Sequence, residues 1–511
     1  MNVYKAIATA IDKTVGLFSP KAELARMYYR EQRDRARSAS YAAAKTTRMT
    51  GAWAPTDSTI NDIIGASSPA VRARVRQLVR DFPYFARAVR SLTDYTVGDG
   101  LHYQARITNA AGKLDAKKIQ QAEDAFSFWA DEADISKKLH YYEMMRLAKS
   151  QDSECGEFLI VERYRKQGRY IPYALQMIEP DWLSDNAQKT AAGAEIEQGI
   201  EYDPNTGIVL AAHITDPDGW GKAERIPADQ IIHGFETLRP GQFRGITPFA
   251  AGVLLANDLA TYMDATIDTA KMSAKYLAFV KTGDPVGRQS ALMGTDSDTG
   301  QKIEEMENAI VEYLRQGEEV TIATNPNPGA NFPPFVKLVL TMLSIVVGVP
   351  YEIISGDYQG LSYSNGKIVR EDFKKTLVPL QTRHIRHFCK PTLRGFMDSA
   401  VLMNKLSFPN YFTNPAQYLK AEWQIPGMAS LDPLREAKAN ADNLDRNLTS
   451  EFELAKARGR DLEDIYRERQ IAKKLREKYG IEDQPVSTSV VNNPAAITGE
   501  DKEDGKAKPK K

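Results

Sequence analysis

The chain has 511 residues, 42% hydrophobic and 26% charged, an ordinary globular composition with apolar material for several cores. Lys and Arg total 67 and so do Asp and Glu, which argues against a protein that grips nucleic acid over its whole surface, because phosphate neutralisation would call for a basic excess. Cys155 and Cys389 are the two cysteines; so few, so far apart in sequence, exclude a disulfide framework and a four-cysteine zinc site and fit a reducing compartment.

At roughly 100 to 200 residues per domain, three or four structural units are expected. Met1 to Phe18 breaks its apolar stretch with Lys5, Asp12 and Lys13, so it does not read as a secretory signal. A charged helical stretch follows from Ala22 to Arg37, then a loop rich in Thr, Gly, Pro and Ser from Thr46 to Ile60. Val71, Val75, Leu78 and Val79 recur at helical spacing, and Arg72, Arg74, Arg76 and Arg80 supply a basic face. Pro83 marks a break before a further run from Phe85 to Val97. A solvated face or a subunit contact is the ordinary reading of such a cluster, ahead of direct contact with DNA.

Between Gly156 and Phe235 the period changes to that of strands, over Glu157 to Tyr164, Ala174 to Ile178, Ile208 to Ile214 and Gln230 to His233, with a turn signal at Asp203 to Gly207. Thr247 offers an N-cap and Pro248 a first helical position for a long helix to about Tyr276. Phe249, Val253, Leu259, Met263, Ile267, Ala270 and Ala274 form its apolar stripe, with Asp258, Asp264, Asp268, Lys271 and Lys275 elsewhere on its surface. At 1.5 Å per residue it would be roughly 45 Å long.

A compact β-α-β pattern comes next: a strand from Leu277 to Val280, a helix from Lys302 to Gln316 stopped by Gly317, and a strand from Glu319 to Ala323. It is too small for a core of its own and must bury itself against neighbours. A second apolar helix covers Pro334 to Val347. Phe335 to Ile354 is the most apolar stretch, yet Lys337, Gly348, Pro350 and Glu352 leave too little uninterrupted length to span a bilayer, and a soluble chain is expected. Gly356 to Gly366 is a polar loop, and a helix from about Asn365 towards Leu406 meets Pro379 and Pro391, where kinks are expected. Leu431 to Tyr479 alternates charge over a helical pattern, and Gln484 to Lys511, without apolar periodicity, is expected to be disordered.

Chemistry finds little to stand on. No Gly-x-x-x-x-Gly-Lys-Ser/Thr loop is present, and Gly294 to Lys302 has the wrong spacing, which weighs against a packaging ATPase. His384, His387 and Cys389 cannot all face one way on a helix and read as structural. His233 ends an apolar strand without a nearby nucleophile and reads as a hydrogen-bonded strand-end histidine. Asp296 and Asp298 read as a solvated turn before a cation site. No active site, cofactor or metal is expected.

Near the start come Tyr41 to Arg48, Gly51 to Trp53, Val71 to Arg80 and Val97 to Gly100. In the middle come Ile231 to Phe235 and Arg239 to Pro248; later come Gly348 to Tyr351, Tyr363 to Gly366, Thr376 to Pro379, Trp423 to Pro433 and Glu436 to Asn440. In this order, over roughly residues 20 to 480, these stretches resemble the lambda family of portal proteins of tailed bacteriophages.

The resemblance implies an α+β portal fold assembled as a ring of about twelve subunits. Residues 1–245 would be the N-terminal wing region, 246–276 the descending stem helix, 277–331 the clip and 332–355 the returning stem helix. Residues 356–366 would be the channel loop, 367–430 a kinked wing helix and following segment, 431–483 a helical crown region and 484–511 a tail. It implies a non-enzymatic subunit of the capsid vertex through which double-stranded DNA is packaged and ejected. Its partners would be itself, the DNA, the terminase large subunit, the major capsid protein and a head completion or adaptor protein, with no membrane. Its place would be the virion, and the host cytoplasm during assembly. Asp357, Tyr358, Gln359, Tyr363, Asn365 and Lys367 would face the DNA channel, and Asp258, Asp264, Asp268, Lys271 and Lys275 would form the polar face of the stem. The neutral total fits: a channel must let phosphates slide, and many cationic contacts repeated by ring symmetry would hold the duplex. A ring-forming head-tail adaptor is the alternative, and a DNA-packaging ATPase a more distant one.

Overall fold

The computed structural model describes residues 57–275 apart from 110, 166–168, 186–189 and 216–222; 279–282, 293–295, 302–304 and 318–321; 329–427 and 432–480; and a few residues between 19 and 29. Side chains are described up to 271 and again from 329. Two compact units divide the chain, Met1–Thr59 and Ile60–Lys511. In the first, residues 20–22, 25–26 and 28–29 are helical, in line with the charged stretch expected there. The second unit is mixed helix and sheet.

It opens with α1 (Ile60–Asp81) and α2 (Pro83–Thr96), separated by Phe82, with Pro83 at the first helical position of α2, where its missing N–H costs nothing. β1 (His102–Ala105) follows, then two helices the sequence reading did not single out, α3 (Ala116–Ala130) and α4 (Tyr141–Cys155). Asp115 caps α3 by accepting from the Lys118 N–H, and His140 and Glu143 close a capping box on α4. α4 stops at Gly156, whose φ of 87° and whose missing Cβ, which would sit 2.1 Å from the Ile246 carbonyl carbon, both require glycine.

β2 (Glu157–Tyr164) is the centre of a three-stranded antiparallel sheet with β3 (Tyr173–Ile178) and β8 (Ile231–Phe235). Between these come β4 (Glu195–Glu197), β5 (Ile200–Tyr202), β6 (Val209–Ile214) and β7 (Glu224–Pro227), a second antiparallel sheet in that order. The long helix α5 runs Val253–Lys275, 23 residues and so about 35 Å rather than the roughly 45 Å expected. The difference lies at its start. Thr247 caps a turn, accepting from the Phe249 N–H, and Ala250–Gly252 is a 3-10 segment. Ile267, part of the apolar stripe read from the sequence, is 49% exposed.

β9 (Phe279–Thr282) pairs antiparallel with β12 (Glu318–Thr321), and β10 (Met293–Thr295) with β11 (Lys302–Glu304). A helix was expected to open at Lys302; residues 302–304 are instead a strand, cross-strand pairing having overridden helix propensity, and 305–317 lie outside the described residues. Asp296 and Asp298 lie outside them too. α6 (Phe332–Val347) ends on the left-handed Gly348, and the short α7 (Tyr351–Ser355) on the left-handed Gly356. α8 (Tyr363–His384) continues through Pro379, and a π turn at Ile385–Cys389 leads into α9 (Lys390–Leu402). The change of register falls just before Pro391, which has no N–H to return to the preceding turn.

β13 (Ala421–Gln424) returns to pair with β1. The densely charged segment forms α10 (Pro433–Asp445), α11 (Glu451–Ala457) and α12 (Leu462–Tyr479). Gln484 to Lys511 lies outside the described residues. Among those described, no helix is long and apolar enough to cross a membrane.

Two larger cores result. One gathers α3, α4, α9 and strands β1 to β3 around Trp129, which is 1% exposed and donates its indole N–H to the Tyr173 carbonyl at 2.8 Å. The other packs α1, α2, α5, α6, α7 and α8 together, with Phe85 and Phe249 rings 4.9 Å apart.

Candidate functional site

The polar loop between α7 and α8 is shorter than its sequence suggested. Gly356 breaks α7, and Ser362 already caps α8, its hydroxyl accepting from the Asn365 N–H at 3.2 Å. The irregular segment is therefore 356–362, and Tyr363, Asn365 and Lys367 stand on the first two turns of α8 instead of in the loop.

Asp357 shapes the loop from within. Its carboxylate accepts from the Gln359 N–H at 3.1 Å and from the Tyr351 hydroxyl at 3.3 Å, an Asx turn pinned to α7. Gly360 then takes a positive φ of 73°. Tyr358 and Tyr363 are 57% and 47% exposed, and Gln359, Asn365 and Lys367 are exposed as well. Five of the six residues expected to face a channel thus project from one short turn and the helix it starts, while Asp357 is committed to holding that turn.

The frame beneath is packed and hydrogen-bonded. Phe373 and Leu377 of α8 are buried, Phe373 edge-on to Tyr95 at 5.1 Å; the Gln381 side chain donates to the Tyr95 carbonyl and Arg87 to the Ile353 carbonyl. Exposed amphipathic side chains on a loop rooted in a packed core can make reversible, sequence-independent contacts. The α8 N-terminus and Lys367 favour anionic groups there.

On α5, Asp258, Asp264, Asp268 and Lys271 are all exposed, and the Lys271 ammonium bonds Asp268 at 3.1 Å. At roughly 100° per residue Asp264, Asp268 and Lys271 share one face, and Asp258 stands off it. Lys275 ends the helix, its side chain outside the described residues.

The arginine cluster of α1 is not one solvated face. Arg72 is buried, 2.8 Å from Asp181 and 3.5 Å from Glu157, and Arg76 reaches Asp181 and Glu179 at 2.8 and 3.3 Å. Arg74 and Arg80 are exposed. The hub is Glu157 at the start of β2, which also takes Arg244 at 2.6 Å, His233 at 3.0 Å and the Gly245 N–H at 2.9 Å. His233 is the hydrogen-bonded strand histidine expected. Burial alone would raise the Glu157 carboxyl; the Arg244 guanidinium outweighs it and holds it well below the usual range. Sequence reasoning missed Glu157 and Arg244, although a lone carboxylate opening an apolar strand was a signal.

His384 is buried, stacked on Phe388 at 9°. Burial pushes the Cys155 thiol up to about 11 and that of Cys389 well above its ordinary value, so neither is an activated nucleophile. Among the described residues no group of three or more His, Cys, Asp or Glu is placed to hold a metal ion.

Residues 46–381 match the family described as phage portal protein, lambda family. The chain is 25% identical over 450 residues to a probable portal protein of Halomonas phage phiHAP-1, covering 84% of this chain and 85% of that one. It is 20% identical over 456 residues to portal protein B of Escherichia phage lambda, covering 81% and 85%. Among solved structures, a chain in the neck of an empty GTA particle, computed with C6 symmetry, is similar at a TM-score of 0.46 and 14% identity, over 81% of this chain and 97% of that one.

Proposed function

Because the chain belongs to the lambda family of phage portal proteins, we propose that it forms a closed ring of about twelve subunits at one capsid vertex, the conduit for double-stranded DNA during packaging and ejection. It acts there as a structural, non-enzymatic part of the virion, assembled in the host cytoplasm. It receives the terminase large subunit during packaging, contacts the major capsid protein, and later seats a head completion or adaptor protein.

In this proposal residues 1–245 and 367–430 build the wing, 246–276 and 332–355 the stem, 277–331 the clip and 431–483 the crown. The channel contact consists of Tyr358, Gln359, Tyr363, Asn365 and Lys367, with Asp357 shaping their turn. The α5 residues Asp258, Asp264, Asp268, Lys271 and Lys275 supply polar stem surface. The observation that carries the reading is the loop itself and the helix it starts: seven residues, 356–362, with exposed Tyr358 and Gln359, followed by exposed Tyr363 on the first turn of α8 and rooted in a packed helical core. Such a surface can touch phosphates and release them.

Electron microscopy of the purified chain is the test. A ring with an axial hole wide enough for a duplex is expected; a monodisperse monomer at every concentration where the protein is stable would overturn the proposal.

A further inference from the structure

Helix α6 has two apolar faces. Val339, Leu340, Leu343 and Val347 are buried in the helical core. Phe335, Leu338, Met342 and Ile345 are 45%, 58%, 48% and 76% exposed, and their spacing of three, four and three residues sets them on one stripe. A helix apolar on both sides needs covering on both sides. With 16 residues α6 is too short to span a bilayer, so a protein surface is the covering that fits.

That surface exists on the same chain. Between α1 and α5 lies a groove of about 510 Å³ with Leu78, Phe82, Val253 and Leu254 along it and Asp81 and Asp264 among its polar residues. Leu254 is 66% exposed. The groove and α6 lie on different sides of α5: Tyr262 meets the α6 rings of Phe332 and Phe335 at 5.7 and 5.2 Å, whereas Leu254 and Asp264 sit roughly a quarter to a half turn away around the helix.

We infer that the outward stripe of α6 on one copy seats in the α1–α5 groove of the next copy. The inference rests on the ring proposed above and specifies which surfaces join. Apolar residues line both partners. Lys337, exposed beside the stripe with its ammonium 5.3 Å from the Tyr351 ring, brings a positive charge to a groove whose lining carries Asp81 and Asp264 against the single cation Arg74. Stripe and groove are different patches, so each copy offers one of each. Their union is heterologous and propagates until it closes, whereas stripe against stripe would stop at a dimer.

The test uses the full chain with Leu254→Cys and Leu338→Cys, singly and together, and a flexible bis-maleimide; the native Cys155 and Cys389 are buried. The double variant is expected to give a ladder of covalent oligomers, and each single variant none. Rings seen by electron microscopy without a ladder from the double variant would overturn this interface and leave the ring intact. Covalent dimers from L338C alone would overturn it in favour of a symmetric contact. Absence of any oligomer would sink the ring and the interface together. As a second measurement, Ile345→Asp is expected to abolish rings while far-UV circular dichroism stays that of the parent; persistence of rings in that variant would also overturn the inference.

Discussion

Arg244 and Glu157 meet inside the second unit with the guanidinium Nη2 2.6 Å from Oε1 and both side chains nearly sealed from water. The arginine Nε lies 3.0 and 2.9 Å from the two carboxylate oxygens, and its remaining donors reach the Gln198 and Pro180 carbonyls. The pair ties the segment that feeds α5 to the first residue of β2. Removing one partner strands the other's charge in a low-dielectric interior, so Glu157→Gln is expected to cost about 3–5 kcal/mol. Urea unfolding of the parent and variant checks it. A loss below about 1 kcal/mol would mean that water reaches Arg244 and Arg72 after all.

Gly156 and Gly245 back onto each other at the same junction. A Cβ on Gly245 would lie 2.1 Å from the Gly156 carbonyl oxygen, and one on Gly156 2.1 Å from the Ile246 carbonyl carbon. Gly156→Ala or Gly245→Ala is expected to lower stability by about 2 kcal/mol or more, because backbone must move against backbone. Gly241 is the control: it has a φ of 79° but nothing within 4 Å of a built Cβ, so Gly241→Ala should cost only about 1 kcal/mol of backbone strain. Thermal unfolding of the three variants separates the effects.

What could be read beforehand follows physical lines. β2 was legible because Phe158 to Val161 are apolar and two of them, Ile160 and Val161, are β-branched, with Gly156 just before the run. Pro83 and Gly348 marked helix boundaries by their own backbone chemistry, whereas Gly356 read only as the start of a polar loop and the short α7 before it went unseen. Arg72 was not legible. Its spacing gave no hint that Asp181 and Glu157, more than eighty residues away, would enclose it. The strand at Lys302 and the 3-10 start before α5 are tertiary overrides of local preference. The two tyrosines were legible from the sequence, although Tyr363 proved to start α8, whereas the commitment of Asp357 to Tyr351 needed three-dimensional proximity.

His384 is expected to make the fold sensitive to acid. Burial, with Lys149 and Arg383 nearby, depresses its imidazole to about 3, Asp152 opposing. A group whose folded value lies below its unfolded one contributes fully above the unfolded value and loses that contribution as the pH falls. Stability is therefore expected to decline from about pH 6.5 towards pH 3 as the unfolded chain takes up a proton the native site refuses. His384→Leu, which keeps an apolar surface against Phe388, should flatten that part of the curve. Chemical unfolding at pH 7, 5.5 and 4.5 measures it. Parallel pH profiles for parent and variant would exclude His384 as the source.

The loop proposed to face the channel carries the most direct functional prediction. Deleting 357–362 outright would also remove the Ser362 cap of α8 and the Asp357 turn, and a lost cap alone costs about 1 kcal/mol. Function and fold are better separated by Tyr358→Ser, Gln359→Ser and Lys367→Gln together, all three at exposed positions with the cap and turn left in place. Stability should stay within about 0.5 kcal/mol of the parent, and ring formation should persist, since Phe373 and Leu377 still root α8 in the core. DNA handling should change: with the flat tyrosine, the amide and the cation gone, fewer reversible contacts hold the duplex between strokes of packaging, and capsids should retain less full-length DNA. Pulsed-field gels of DNA from nuclease-treated capsids read that out. Retention equal to the parent's, with rings intact, would show that these side chains do not touch DNA during packaging and would move the contact to the stem.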